Sequence, residues 1–133
     1  MKYLISGVLV GALAAGLAAA PAEASADDGG FAGSTSLRLT VSYPANTLSG
    51  TRTVVLSCDP AGGSHPQAAR ACADLRAHHG AVDHDPAEGI CPMIYRPVIA
   101  RAVGRWHDRA VSFRREYGND CLMHARTGSV FAF

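Results

Sequence analysis

The chain has 133 residues, with 12 Lys and Arg against 11 Asp and Glu, a formal net charge of +1. That length holds one domain plus a targeting segment and excludes a multi-domain enzyme. The charge balance gives no electrostatic ground for a nucleic-acid or polybasic membrane binder, and 48% apolar content excludes a wholly disordered chain.

Residues 1–26 have the layout of a secretory signal peptide. Lys2 is a short positive region, Tyr3 to Ala20 is apolar and uncharged, and two A-x-A frames follow at Ala22–Ala24 and Ala24–Ala26. The stretch is rich in Ala and Gly, which disfavours a membrane anchor. Lys2 is the single lysine, so the exported part carries its positive charge as arginine alone. Residues 27–35 are Gly-rich and polar and read as a flexible tail. Residues 36–133 form the folded domain, small enough to gain from covalent staples.

Within it, Leu37, Leu39, Val41 and Tyr43 alternate with polar residues, the period of a half-buried strand. Turn chemistry fills Pro44 to Gly50, and Thr51 to Cys58 reads as the antiparallel partner. Asp59 to Gly63 breaks the chain. A helix is predicted from Ser64-His65-Pro66, with Ala68, Ala71, Cys72 and Leu75 on one face and Gly80 as its stop. Residues 81–89 form a polar, acidic loop. Val98 to Trp106 and Arg109 to Tyr117 are two further strands, turning at His107-Asp108. A short helix over 118–126 carries Cys121, and Ser129 to Phe133 is a last strand. The class is α+β, with a five-stranded antiparallel sheet and two short helices.

Cys58, Cys72, Cys91 and Cys121 are the four cysteines, and an even count in an exported chain reads as two disulfides. Three pairings are open. The sequential one, Cys58–Cys72 with Cys91–Cys121, closes short local loops and is preferred; chain entropy assigns the two loops about 3 and 3.7 kcal/mol. No C-x-x-C pair supports zinc. His78, His79, Asp83, His84 and Asp85 crowd within eight residues and offer an alternative, a secreted metal-binding or structural module. No i, i+4 pair of ligands fixes them on one face. G-x-S-x-G, H-E-x-x-H and a Gly-rich phosphate loop are all missing, and paired cysteines leave no thiol nucleophile. The sequence therefore points away from an enzyme and calls for no cofactor or metal.

Residues 89–97, Gly-Ile-Cys-Pro-Met-Ile-Tyr-Arg-Pro, stand apart. Pro92 and Pro97 bracket the stretch, and proline removes ladder donors, so it does not sit inside a sheet. A restrained, extended loop that displays Met and Ile fits a binding site.

Cys91-Pro92-Met93-Ile94-Tyr95-Arg96-Pro97 resembles the reactive-site loop of the Streptomyces-type subtilisin inhibitors. Asp59-Pro60 through Pro66, Ala71 to Leu75, Trp106, Val111 to Phe113, Asn119 to Cys121 and Ser129 to Phe133 resemble further blocks of that family. The resemblance spans about Leu37 to Phe133. It implies a secreted, extracellular serine protease inhibitor and a homodimer paired through its sheets. It implies the same two sequential disulfides. The reactive bond maps to Met93–Ile94, with Met93 entering the protease's primary pocket. Ile90, Cys91 and Pro92 precede it, and Ile94, Tyr95 and Arg96 follow. Three departures stand out: Asp108 replaces a usual glycine in the turn after Trp106, His78-His79 and Ala81 to Glu88 differ from the family's pattern, and Arg101 and Arg105 add charge to a strand.

Overall fold

The computed structural model describes residues 34–46 and 50–133. The leader and residues 27–33 of the tail lie outside the described residues. The described part is built as β1 (Thr35–Ser42), β2 (Thr51–Cys58), β3 (Gly62–Gly63), α1 (Ala68–Ala77), β4 (Val98–Trp106), β5 (Arg109–Tyr117) and α2 (Asp120–Thr127). The strands form one antiparallel sheet in the order β3-β2-β1-β4-β5.

Alternation sets the two faces. Leu37, Leu39 and Val41 of β1 point inward and meet Leu56 of β2 and Val98, Ala100, Ala102 and Trp106 of β4. Both helices lay their apolar residues on this face: Ala71, Cys72 and Leu75 from α1, Met123 from α2. Among the described residues no helix lies on the opposite face. Cys72 reaches Cys58 at the end of β2, and that disulfide fastens α1 to the sheet.

Three expectations change. Thr35 is buried and opens β1, so the strand takes in the end of the expected tail. The helix starts at Ala68 rather than at 64–66. His65 is buried ahead of it, its Nδ1 accepting the Gln67 N–H and its Nε2 donating to the Val130 carbonyl. No side chain caps α1 at Gln67; the imidazole instead ties the segment ahead of the helix to the C-terminal residues. The helix ends at Ala77, and the turn that follows closes with the Gly80 N–H on the Leu75 carbonyl. Gly80 holds φ +84 with the Trp106 indole against it, where a Cβ would come within 2.4 Å of the ring.

Ser129–Phe133 is not a strand. The Val130 and Ala132 N–H groups turn back to Thr127 and Ser129, while Val130 and Phe131 are buried against the inner face. The fifth strand is instead Gly62–Gly63, paired with Ser57 and Leu56. Period-two patterning cannot find it, because a two-glycine strand has no side chains to alternate.

Candidate functional site

The chain crosses from α1 to β4 through residues 78–97 without regular secondary structure. Its second half displays apolar side chains outward: Ile90 and Met93 are fully exposed, Ile94 and Tyr95 largely so. These residues, with Pro92 and Arg96, form the loop that the sequence singles out.

Three attachments hold this loop. Cys91 is bonded to Cys121 in the first turn of α2. The Arg96 N–H donates to the Gly118 carbonyl at 2.8 Å, fixing the exit. Between these anchors stands Asn119. Its Nδ2 donates to the Pro92 carbonyl at 3.1 Å and to the Ile94 carbonyl at 2.8 Å. The two acceptors flank Met93, so one amide clamps both sides of that residue. The Oδ1 of the same side chain accepts the Leu122 N–H at 2.9 Å and caps α2. Asn119 is buried, with both amide hydrogens donated and its oxygen accepting.

α2 is therefore the loop's base, and it is itself tied down. Thr127 and Met123 are buried. The Tyr43 hydroxyl donates to Asp120 Oδ1 at 2.8 Å; burial and then that bond push the Tyr43 phenol above its ordinary value. Asp83 accepts from Arg126, Arg115 and the Tyr117 hydroxyl. Burial alone would raise the Asp83 carboxyl; the bonds from Arg126 and Tyr117 and the charges of Arg115 and Arg126 outweigh it and hold the group below its ordinary value. The Tyr117 phenol is pushed far up, by burial first and then by its bond to Asp83. From this node residues 84–87 run beside the end of α2, with the His84 and Ala87 N–H groups on the Arg126 and Ala125 carbonyls.

The acidic, His-rich segment thus acts as a strap for α2. Asp83 is spent on arginines. His78 and His84 stack at 3.7 Å, each turning Nδ1 to a backbone carbonyl. Among the described residues no three His, Cys, Asp or Glu side chains converge on a point that could hold a metal. The metal-binding alternative finds no support.

The sequence places Ile90, Cys91, Pro92, Met93, Ile94, Tyr95 and Arg96 on one exposed loop, and the structure keeps them together there. Sequence reasoning missed Asn119. An Asn ahead of Asp120 is a recognisable helix start, but nothing in the sequence says that its amide faces a loop 25 residues upstream.

A model of the family described as subtilisin inhibitor-like matches residues 33–119. A subtilase-type protease inhibitor of Streptomyces coelicolor is 40% identical over 134 residues, which cover 97% of this chain and 88% of that one. A trypsin inhibitor of Streptomyces longisporus is also 40% identical, with the same coverage. Among solved structures, Streptomyces caespitosus sermetstatin in complex with Bacillus licheniformis subtilisin aligns with a TM-score of 0.59 at 30% identity, over 76% of this chain and 100% of that one.

Proposed function

The chain belongs to the subtilisin inhibitor-like family, and on that footing we propose that it is a secreted inhibitor of subtilisin-like, and also chymotrypsin-like, serine proteases. In this reading the loop enters the protease cleft as a substrate would. Met93 fills the primary pocket, Ile90, Cys91 and Pro92 lie before it, and Ile94, Tyr95 and Arg96 lie beyond the bond. One observation carries the reading. A fully exposed, unbranched apolar side chain sits where both neighbouring carbonyls are held by a single buried amide.

Such a loop inhibits for two reasons. It has already lost the ordering entropy that a flexible peptide loses on binding, which raises affinity. After attack on the Met93 carbonyl and cleavage, the new ends remain in place: one is tied through Cys91–Cys121, the other through the Arg96 N–H, and Asn119 holds a carbonyl on each side. Held groups reach effective molarities of about 10⁵ to 10⁸ M, so the bond re-forms faster than the product leaves.

Secretion rests on the pattern of residues 1–26. Among the described residues no helix is long and apolar enough to cross a membrane. A homodimer paired through the uncovered sheet face completes the reading; Val55 and Val103 stand exposed there.

Titration of purified subtilisin with the mature protein tests the function. Stoichiometric inhibition with slow cleavage at Met93–Ile94 is the expected result; absence of inhibition, or cleavage at another bond, refutes it. Met93→Lys should move the preference toward trypsin, whose pocket holds a carboxylate that Met cannot pair. Trypsin inhibition left unchanged by Met93→Lys would remove Met93 from the primary pocket.

A further inference from the structure

A protease–inhibitor interface of standard size takes about 20–30 residues from each side. Residues 90–96 are too few to fill it, so other parts of the chain join the loop in any such complex. At the loop's exit a cavity of about 560 Å³ opens, lined by Tyr43, Arg52, Arg96, Pro97 and Asp120 among others.

Strand pairing builds this cavity. Ser42, at the end of β1, faces Thr51 at the start of β2 and Ile99 near the start of β4. The start of β2 and the segment that enters β4 therefore meet at one end of the sheet. Arg52 stands opposite Val41, whose side chain is buried on the inner face. Directly opposed residues share a face. Arg52 thus lies on the side that carries α2, the base of the loop, and the outer sheet face is left to the homodimer proposed above.

Arg52 and Arg96 are both exposed. The ion pairs among the described residues are Arg76–Asp59, Arg115–Asp83 and Arg126–Asp83, and neither of these two arginines takes part. The acid in the lining, Asp120, accepts the Tyr43 hydroxyl. Burial first, then the bond to Asp120 and its charge, push the Tyr43 phenol up, and the charge of Arg52 opposes them. Two guanidinium groups against one carboxylate leave the cavity positive. A concave site with an excess of one sign focuses its field on what enters, and the guanidinium fork fits a carboxylate bidentately. The Arg96 main chain is held by its N–H bond to the Gly118 carbonyl, so its side chain is presented from a fixed point.

We infer that Arg52 is a specificity-determining residue outside the reactive loop, and that with Arg96 it forms a subsite for one acidic side chain of the target protease, on the enzyme's rim beyond the bond under attack. Arg96 lies three residues past Met93, about 10 Å of extended chain, so the cavity comes to face that rim as the loop is seated. The inference rests on the inhibitor reading above and names a partner group for it.

Two forms of subtilisin are the probes, differing only by Gln or Glu at the rim position nearest Arg96 in the complex. Inhibition constants are measured for the full mature chain and for its Arg52→Gln, Arg52→Lys and Arg96→Gln variants. The parent should inhibit the Glu form about tenfold or more strongly than the Gln form at low salt, as close charge pairs at an interface do. The difference should collapse near about 1 M NaCl, where the Debye length is about 3 Å. Arg52→Gln should lose most of that preference, and Arg52→Lys, which keeps the charge, should retain most of it. Melting temperatures equal to the parent's show that the variants fold. Equal inhibition of the two forms by the parent overturns the inference and leaves the inhibitor reading standing. A preference that survives Arg52→Gln and disappears in Arg96→Gln also overturns it, because the loop alone then reads the acid. Inhibition of neither form overturns both readings.

Discussion

Residues 91–97 and 129–133 look alike on paper. Each is short, each is mostly apolar, and neither forms a helix or strand. Yet Met93 is fully exposed and Phe131 is 1% exposed. The difference lies in what grips each backbone. At the C-terminus, Gly128 turns the chain with φ +58, Asp74 accepts the Ser129 N–H at 2.6 Å, and His65 donates to the Val130 carbonyl. These bonds draw Phe131 inward, onto Phe113. In the loop, the grips fall at Cys91, at the carbonyls of Pro92 and Ile94, and at Arg96 N–H. They hold the main chain against α2 and leave the side chains outside. Hydrophobicity alone does not decide burial; the placement of backbone anchors does.

Paired truncations test this most strongly. Phe131→Ala should cost about 3–5 kcal/mol of stability by opening a cavity in the core. Met93→Ala should change stability by less than about 0.5 kcal/mol, as expected of an exposed site, yet weaken subtilisin binding by about 2 kcal/mol or more. Thermal melts and inhibition constants should therefore rank the two variants in opposite orders. Equal effects on either scale would dissolve the contrast.

Cutting the covalent grip comes next. Replacing Cys91 and Cys121 by Ser opens a loop of sequence separation 30 and should cost about 3.7 kcal/mol by chain entropy. Its functional mark is qualitative: the inhibitor should become a substrate, with Met93–Ile94 hydrolysed to completion, as mass spectrometry would show.

Asn119 separates the loop's grip from the helix cap. Asn119→Ala removes both. Asn119→Ser keeps a capping oxygen, so it should spare most of the roughly 1 kcal/mol that the Ala variant loses. Both should lose the two bonds to the loop, worth about 1–3 kcal/mol together, and speed turnover of the complex alike. If the Ser variant inhibits as well as the parent, the amide has no part in holding the scissile region.

The smallest effect is set by pH. The folded Asp83 carboxyl titrates below its ordinary value. Its contribution is therefore complete above the unfolded value of about 3.9 and is lost as pH falls through the folded one. Melting temperature should decline more steeply below about pH 4 in the parent than in Asp83→Asn; parallel curves would show that the strap adds nothing.

Much of this was legible in the sequence. The four long strands carry clean alternation or Thr/Val enrichment, and Leu75, Cys72 and Ala71 mark the buried face of α1. The loop announced itself through two prolines around exposed apolar residues. Three things were not legible, for separate reasons. Gly62–Gly63 has no side-chain pattern. Val130-Phe131 reads as strand because burial against a core and burial in a sheet select the same residues. Asn119 was hidden because its role depends on where α2 lies relative to a distant loop, and spacing along the chain carries no record of that.

The loop is gripped at its main-chain atoms and at one disulfide, and this has an evolutionary consequence. Ile90, Met93 and Tyr95 contribute almost nothing to the core. Their identities can drift without passing through an unstable intermediate, because no packing has to be rebuilt at each step. On the proposed reading, fold and target choice are written on separate sets of residues. On that reading a lineage could follow a changing protease by rewriting a handful of codons, while Asn119, Cys91 and Cys121 go on holding the loop.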